Sequence, residues 1–156
     1  MIDDALLQED RPSPAGDLER AFRSILDKQM RDMPMLNPAL CVEAVGFRPW
    51  SDHWLGILVT PWFMNLVRLP LARVDATDGV GLGSTLELGG RAIGFLGAHE
   101  AAIGAFDACS LFSPMFEFAN PAAACGVAEA VLADLRGAPA PARRSFLFGR
   151  TQPLAR

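Results

Sequence analysis

The run from Trp54 to Val67 contains no charged residue and is interrupted once, by Pro61. Because proline lacks a main-chain N–H and biases the preceding Thr60 towards an extended conformation, the run predicts a buried strand that bends at this point. Three consecutive large apolar side chains cannot all face one core, so we expect at least one of those after the proline to lie at the surface, as a candidate recognition site. These three residues are Trp62, Phe63 and Met64.

A second apolar stretch, around residue 110, has the same pattern. Apolar residues that include Leu111 are interrupted by Ser113-Pro114, and Met115, Phe116 and Phe118 follow the proline. If Leu66 and Leu111 lie in neighbouring strands, both clusters emerge on one rim and form a groove for an apolar segment of another chain. An alternative, in which Phe112, Phe116 and Phe118 pack beneath a helix, stays open. The residues assigned to the partner-binding groove are Trp62, Phe63, Met64, Phe112, Met115 and Phe116.

The apolar spacing predicts an α+β fold, with an antiparallel β-sheet meander flanked by an N-terminal and a C-terminal helix, both on one face. Ser13 is the expected N-cap of the first helix, which ends before Pro34. Asn120-Pro121 opens the second helix and Gly137 stops it. The expected buried face of the first helix contains Leu18, Phe22, Ile25, Leu26, Met30 and Met33, and that of the second contains Ala124, Val127, Ala128, Val131, Leu132 and Leu135.

Between the helices we expect two hairpins and two further strands. The first hairpin pairs residues 41–47 with 54–59, and the second pairs 85–88 with 91–96 around Gly89-Gly90, which suits a two-residue primed turn. Single strands are expected at 65–69 and 104–111, with a Gly-rich loop at 75–84 and another loop around His99. We expect three segments: a flexible N-terminus (1–12), a single domain (13–137), and a Pro/Ala linker with an Arg-rich tail (138–156).

Composition narrows the class of protein. A chain of 156 residues is the size of one domain and can bury a core without disulfides or a metal. Its net charge of −4 supplies no basic field for phosphates, so no nucleic-acid partner is expected. The acidic N-terminus has no apolar signal-like region, and no run reaches the roughly 18 apolar residues of a spanning helix. We expect a cytoplasmic protein with no membrane insertion.

The cysteines offer a rival interpretation, a small cysteine-dependent enzyme centred on Cys109. Asp107 falls on the same face of the predicted strand and would raise the pKa of the thiol, which disfavours a reactive thiolate. The two histidines, His53 and His99, are expected in loops, exposed or locally capped. A weaker possibility is a redox pair of Cys41 with Cys109, which requires Cα atoms within about 7 Å. No C-x-x-C pair occurs, so we expect no metal and no cofactor.

Three separated stretches carry a resemblance: residues 59–67, residues 109–116 and the terminal 143–150. Their sequences and order resemble the nickel–iron hydrogenase assembly chaperones of the HybE type, from about Asp17 to Arg150. The resemblance implies a protein that is not an enzyme. It implies a chaperone for an uptake hydrogenase that holds the small-subunit precursor, with its twin-arginine export signal, until its cofactor is inserted. The large subunit or other maturation factors are further implied partners.

The tail contains Arg143-Arg144-Ser145-Phe146-Leu147, which reproduces the R-R-x-F-L core of a twin-arginine signal at the wrong end of the chain. Two interpretations stay open. In the first, the tail occupies the signal-binding groove of the free chaperone and the client displaces it, which makes Arg143 and Arg144 part of the partner-binding set. In the second, the tail is a short strand or docking segment whose arginines meet Asp or Glu.

Overall fold

The structure, a computed structural model, describes residues 13–137. Segments 1–12 and 138–156, with the expectations placed on them, lie outside the described residues. In chain order the elements are α1 (Ala15–Ile25), continued by a π-helical turn (Leu26–Met30), β1 (Glu43–Trp50), β2 (His53–Val59), β3 (Met64–Pro70), β4 (Gly83–Leu88), β5 (Arg91–Glu100), β6 (Gly104–Phe112) and α2 (Pro121–Leu135).

The six strands form one antiparallel sheet in the order β1-β2-β3-β6-β5-β4. Each half is a three-stranded meander, and residues 71–82 carry the chain from β3 in the middle of the sheet to β4 at its far edge. The predicted α+β class, an antiparallel sheet with an N-terminal and a C-terminal helix, is confirmed.

The helices lie on opposite faces of this sheet, so the expectation that they share one face is wrong. Leu18 of α1 packs into the apolar cluster on one face, and Leu132 of α2 packs into the cluster on the other. The reason lies in the central strands, which are apolar on both faces. Ile57 and Leu58 point in opposite directions and are 0% and 1% exposed, so β2 needs cover on both sides.

The start of α1 differs from the prediction. Pro14, not Ser13, occupies the N-cap position, while the Ser13 hydroxyl accepts a hydrogen bond from the N–H of Ala15 at 3.1 Å. The predicted buried face holds for Leu18 and Phe22, and Ile25, Leu26 and Met30 are half-buried. Met33 is 41% exposed because the helical turns end at Met30, so its assignment to the buried face is wrong.

Two local predictions are confirmed by the geometry that motivated them. Gly89 and Gly90 form the β4–β5 turn with φ of 56° and 79°, values that suit glycine and the twist of a hairpin. At the start of α2 the Asn120 side chain accepts a hydrogen bond from the N–H of Ala123 at 2.8 Å, and Pro121 follows it. The helix stops before Gly137, where φ is 81°.

Candidate functional site

The β3–β6 pairing brings the two proline-interrupted clusters to the same end of the sheet. Met64, at the start of β3, lies opposite Phe112, at the end of β6, and Leu66 lies opposite Cys109. The turn that precedes β3 and the loop that follows β6 therefore share one rim. The condition on which a shared rim depended, that the strands containing Leu66 and Leu111 are neighbours, is met.

Thr60 builds the β2–β3 turn. Its hydroxyl accepts hydrogen bonds from the N–H groups of Trp62 at 3.2 Å and Phe63 at 2.9 Å, and donates one to the carbonyl of Phe63 at 3.1 Å. Its own N–H also donates to that carbonyl at 2.8 Å. Thr60 is fully buried and Pro61 has no N–H to satisfy, so the turn presents two aromatic residues from a fixed backbone.

Asn37 ties three segments together at this rim. Its side-chain amide donates to the carbonyls of Met115 at 2.9 Å and Phe118 at 2.8 Å. Its main-chain N–H donates to the carbonyl of Pro61 at 2.9 Å. The side-chain oxygen accepts from the N–H of Ala39 at 3.0 Å, so this buried amide uses both its donor and acceptor groups. One side chain thus holds both clusters in a fixed relation.

The structure divides the expected groove residues between the core and the surface. Met64 and Met115 are 0% exposed, so the expectation that they line an open groove is wrong in this structure. Both belong to the core on the α2 side, where they pack beneath the helix with Phe118. Alternation in β3 accounts for Met64, because it shares a face with the buried Leu66.

The aromatic residues lie on two sides of the rim. Trp62 and Phe63 are half-buried on the α1 side, with ring centroids 5.4 Å apart, and Phe63 meets Phe22 edge-on at 5.9 Å. Phe112 is half-buried on the α2 side, where its ring meets Phe118 at 5.1 Å. The two clusters therefore lie on opposite faces at one end of the sheet, and they do not form the two walls of one groove.

The most exposed apolar residue of the loop after β6 is Phe116, whose exposed fraction is 57%. Met33 and Met35, exposed by 41% and 39%, add to it from the segment that leads into Asn37. We call this set the rim surface; it consists of Met33, Met35, Trp62, Phe63, Phe112 and Phe116.

Cys109 lacks the surroundings of a nucleophile. Burial raises the pKa of its thiol, whose recorded hydrogen bond goes to the carbonyl of Ser110 at 3.9 Å. The expected direction of the shift is confirmed, but its cause is burial rather than Asp107. His99 lies in β5, not in a loop, and pairs with Ala105, four residues from Cys109 or about 13 Å along β6. His99 is thus too far away to act as its general base.

The carboxylate of Asp107 is paired with Arg68. The guanidinium donates to Oδ2 of Asp107 from Nε at 3.1 Å and from Nη2 at 2.8 Å. It also donates to the hydroxyl of Ser84 at 3.2 Å and lies 5.0 Å from the centre of the Phe95 ring. The two charged side chains are 14% and 28% exposed, so this pair links β3 to β6 in a largely buried setting.

The other two thiols lie near Glu43. The Cys125 thiol donates a hydrogen bond to the carboxylate of Glu43 at 3.0 Å. Burial together with this hydrogen bond raises the pKa of Cys125 to about 12. Burial and the charge of Glu43 also raise the pKa of Cys41. Cys41 precedes β1, three strand spacings or about 14 Å across the sheet from β6, so the suggested Cys41–Cys109 redox pair is wrong.

His53 opens β2, not a loop, and its Nδ1 lies 2.7 Å from Oδ1 of Asp52, a local cap of the kind expected. Across residues 13–137, no three His, Cys, Asp or Glu side chains are placed to hold a metal ion. None of the helices in that part of the chain is long and apolar enough to cross a membrane. Arg143 and Arg144 lie outside the described residues, and their role stays a prediction.

Sequence reasoning missed Asn37, which lies between α1 and β1. Its partners lie 78 and 81 positions further along the chain, and an Asn before a proline gives no signal of such contacts. The exposure of Met35 was also missed, because nothing in the sequence between α1 and β1 shows which side chains the packed elements leave uncovered.

A six-stranded antiparallel sheet with one helix on each face, and an apolar rim held by buried hydrogen bonds, defines a small α+β protein. Comparison with known proteins identifies the family. The model of the family described as "NiFe-hydrogenase assembly, chaperone, HybE" matches residues 13–149. The chain belongs to this family of hydrogenase assembly chaperones.

Individual relatives agree with this assignment. The chain is 45% identical to Protein HoxT of Cupriavidus necator in an alignment 155 residues long. The alignment covers 85% of this chain and 87% of that protein. It is 44% identical to the hydrogenase expression/formation protein HupJ of Bradyrhizobium diazoefficiens, covering 80% and 76%. The solution structure of HybE from Escherichia coli shares the fold, with a TM-score of 0.66, 22% identity and coverage of 83% and 80%.

Proposed function

We propose that this chain is a cytoplasmic chaperone for an uptake nickel–iron hydrogenase. In this proposal it binds the small-subunit precursor, including its twin-arginine signal, before export. The large subunit or other maturation factors are further partners. The observation that carries the proposal is the rim surface, where large apolar side chains are exposed from turns that are themselves rigidly hydrogen-bonded.

The chemistry of the rim surface suits such a client. An export signal contains an apolar segment whose exposure to water is unfavourable. Methionine and aromatic side chains can contact such a segment without requiring it to have one particular shape. Exposed Phe116 supplies contact area at the centre of the loop after β6, and Trp62 and Phe63 supply it on the α1 side. Met64 and Met115 support this surface from within the core.

The rim is also pre-organised. Thr60 fixes the turn that carries the two aromatics, and Asn37 fixes the loop that carries Phe116. A surface whose backbone is already ordered loses less conformational entropy on binding, so more of the apolar contact contributes to affinity. This arrangement favours a preformed docking site for an apolar client segment.

The test is co-purification of the tagged protein from cells that make the hydrogenase small subunit, with and without its signal peptide. We expect capture of the complete precursor and loss of capture when the signal is removed. Capture that survives removal would move the binding site to the mature subunit. Absence of capture in both cells, with the chaperone folded and abundant, would contradict the proposed client.

A further inference from the structure

The two edges of the sheet differ in how their main-chain groups are satisfied. At β1, a carboxylate oxygen of Glu19 accepts from the N–H of Ala44 at 2.9 Å, and Arg23 donates to the carbonyl of Val42 at 3.3 Å. Helix α1 thus caps this edge with side chains. At the opposite edge β4 pairs only with β5 in the part of the chain that the structure describes. An uncovered edge is a template for a further strand.

The turn geometry shows which groups of β4 point outward. A two-residue turn makes Leu88 and Arg91 a hydrogen-bonded pair, and bonding then alternates along an antiparallel ladder. The N–H of Gly97, which donates to the carbonyl of Leu82 at 2.9 Å, continues the same phase. The outward main-chain groups therefore belong to Gly83, Thr85 and Glu87, which are all exposed.

Apolar side chains lie beside this edge. Leu82 precedes β4 and is 64% exposed, and Leu96, which pairs with Gly83, is 59% exposed. Glu87 is the one charged residue of β4. Natural sheets protect an edge of this kind with charges, prolines or a covering segment. We therefore expect a further segment to cover the edge at β4.

Helix α2 ends beside the β4 edge of the sheet. A Cβ atom on Gly89 would lie 2.7 Å from the carbonyl oxygen of Leu135, so the last turn of α2 touches the β4–β5 turn. Gly137 then ends the helix. The described part of the chain consequently ends beside the end of β4, and a chain running from there towards Gly83 would be antiparallel to the strand.

We propose that residues 143–149, the tail segment, dock on β4 as a seventh, antiparallel strand of the sheet. The preceding residues 138–142 span up to about 17 Å at about 3.3–3.6 Å per residue, which is enough to reach the outer edge. Phe146 and Phe148 are of a residue type that is enriched in strands, and Leu147 between them is apolar. Their main chain pairs with the outward groups of β4, and their side chains cover the apolar surface around Leu82 and Leu96.

The charges are complementary. Residues 138–156 contain four arginines and no acidic residue, whereas residues 13–137 contain nine basic and fourteen acidic side chains. Glu87 lies on the edge strand itself, and Asp78 is exposed in the loop before it. This complementarity favours the chain's own tail over an acidic partner. The inference is independent of the proposed function, which would stand if it failed.

The test is hydrogen exchange on the full-length protein. We expect the amides of Thr85 and Glu87 to exchange at least ten-fold more slowly in the natural chain than in the double variant Phe146→Asp, Phe148→Asp. Leu154→Asp, an equivalent change beyond the tail segment, is the matched control and should leave these rates unchanged. Equal rates in the natural chain and the double variant would overturn the inference.

A reciprocal variant tests the same contact from the other side. Thr85→Pro removes an outward N–H without removing a bond to β5, so it should accelerate exchange in residues 145–149 while the β5 amides stay protected. Unchanged exchange in the tail segment would overturn the inference. So would protection of β4 that survives in the double variant and rises with protein concentration, because a second copy of the chain would then be the cover.

Discussion

Met64 lies directly opposite Phe112 in the ladder between β3 and β6. This pairing joins the two halves of the sheet and sets where each proline-interrupted cluster leaves it. The turn before Met64 carries Trp62 and Phe63, and the loop after Phe112 carries Phe116. The rim surface is therefore a consequence of strand order, since the same clusters would lie apart in a sheet that did not pair β3 with β6.

Asn37 should be the most sensitive polar residue of the rim. Asn37→Asp keeps the acceptor for Ala39 but replaces the amide donor with a carboxylate facing the carbonyls of Met115 and Phe118. We expect a loss of about 2 kcal/mol in the free energy of unfolding, measured by urea denaturation. Gln29→Glu, the same chemical change at an exposed helical position, should cost less than about 0.5 kcal/mol. Equal midpoints for both variants would contradict the role given to Asn37.

The Arg68–Asp107 pair should contribute far more to stability than the exposed ion pairs of α1. Asp107→Asn leaves a largely buried guanidinium without its counter-charge, so we expect the free energy of unfolding to fall by about 2 kcal/mol. Asp27→Asn is the control, because Asp27 and Arg31 are both more than half exposed and such a pair is worth about 0–1 kcal/mol. A smaller loss for Asp107→Asn than for Asp27→Asn would show that burial does not strengthen the inner pair.

Thiol reactivity should follow exposure and pKa. The thiolate is the reactive form, and a raised pKa lowers its fraction at any pH below that value. With iodoacetamide at pH 8 we expect exposed Cys41 to react first, and Cys109 and Cys125 to react slowly. The rate at Cys125 should rise about ten-fold per pH unit while the pH stays below its pKa of about 12. Mass spectrometry after digestion assigns each site, and fastest labelling at Cys109 would revive the cysteine-enzyme hypothesis.

Local signals in the sequence were sufficient for several elements. The Asn120-Pro121 cap and the Gly89-Gly90 turn were predicted because their geometry depends on the residues themselves. The repeated apolar–proline pattern drew attention to both clusters, but that the strands containing Leu66 and Leu111 are neighbours was only a condition in the sequence analysis. The cap and the turn are each encoded within a few positions of one another.

Other features depend on contacts between distant residues, which one sequence does not reveal. Burial of Met64 and Met115 depends on how α2 crosses the sheet. The placement of helices on opposite faces depends on β2 being apolar on both sides, which a short apolar run indicates only once the sheet order is known. Asn37 acts through hydrogen bonds to the carbonyls of Met115 and Phe118, and the residues around it in sequence do not indicate these contacts.

The most direct test of the central claim is the affinity of the purified protein for a labelled signal peptide of the hydrogenase small subunit, compared between two variants. Phe116→Asp changes an exposed residue of the rim surface, and Val74→Asp changes an apolar residue that is also exposed, at 42%, in the loop after β3. We expect Phe116→Asp to weaken binding at least ten-fold and Val74→Asp to leave it within about two-fold, since a well-packed aromatic contact contributes more than about 1 kcal/mol. Equal affinity for both folded variants would contradict the assignment of the rim as the client-binding surface.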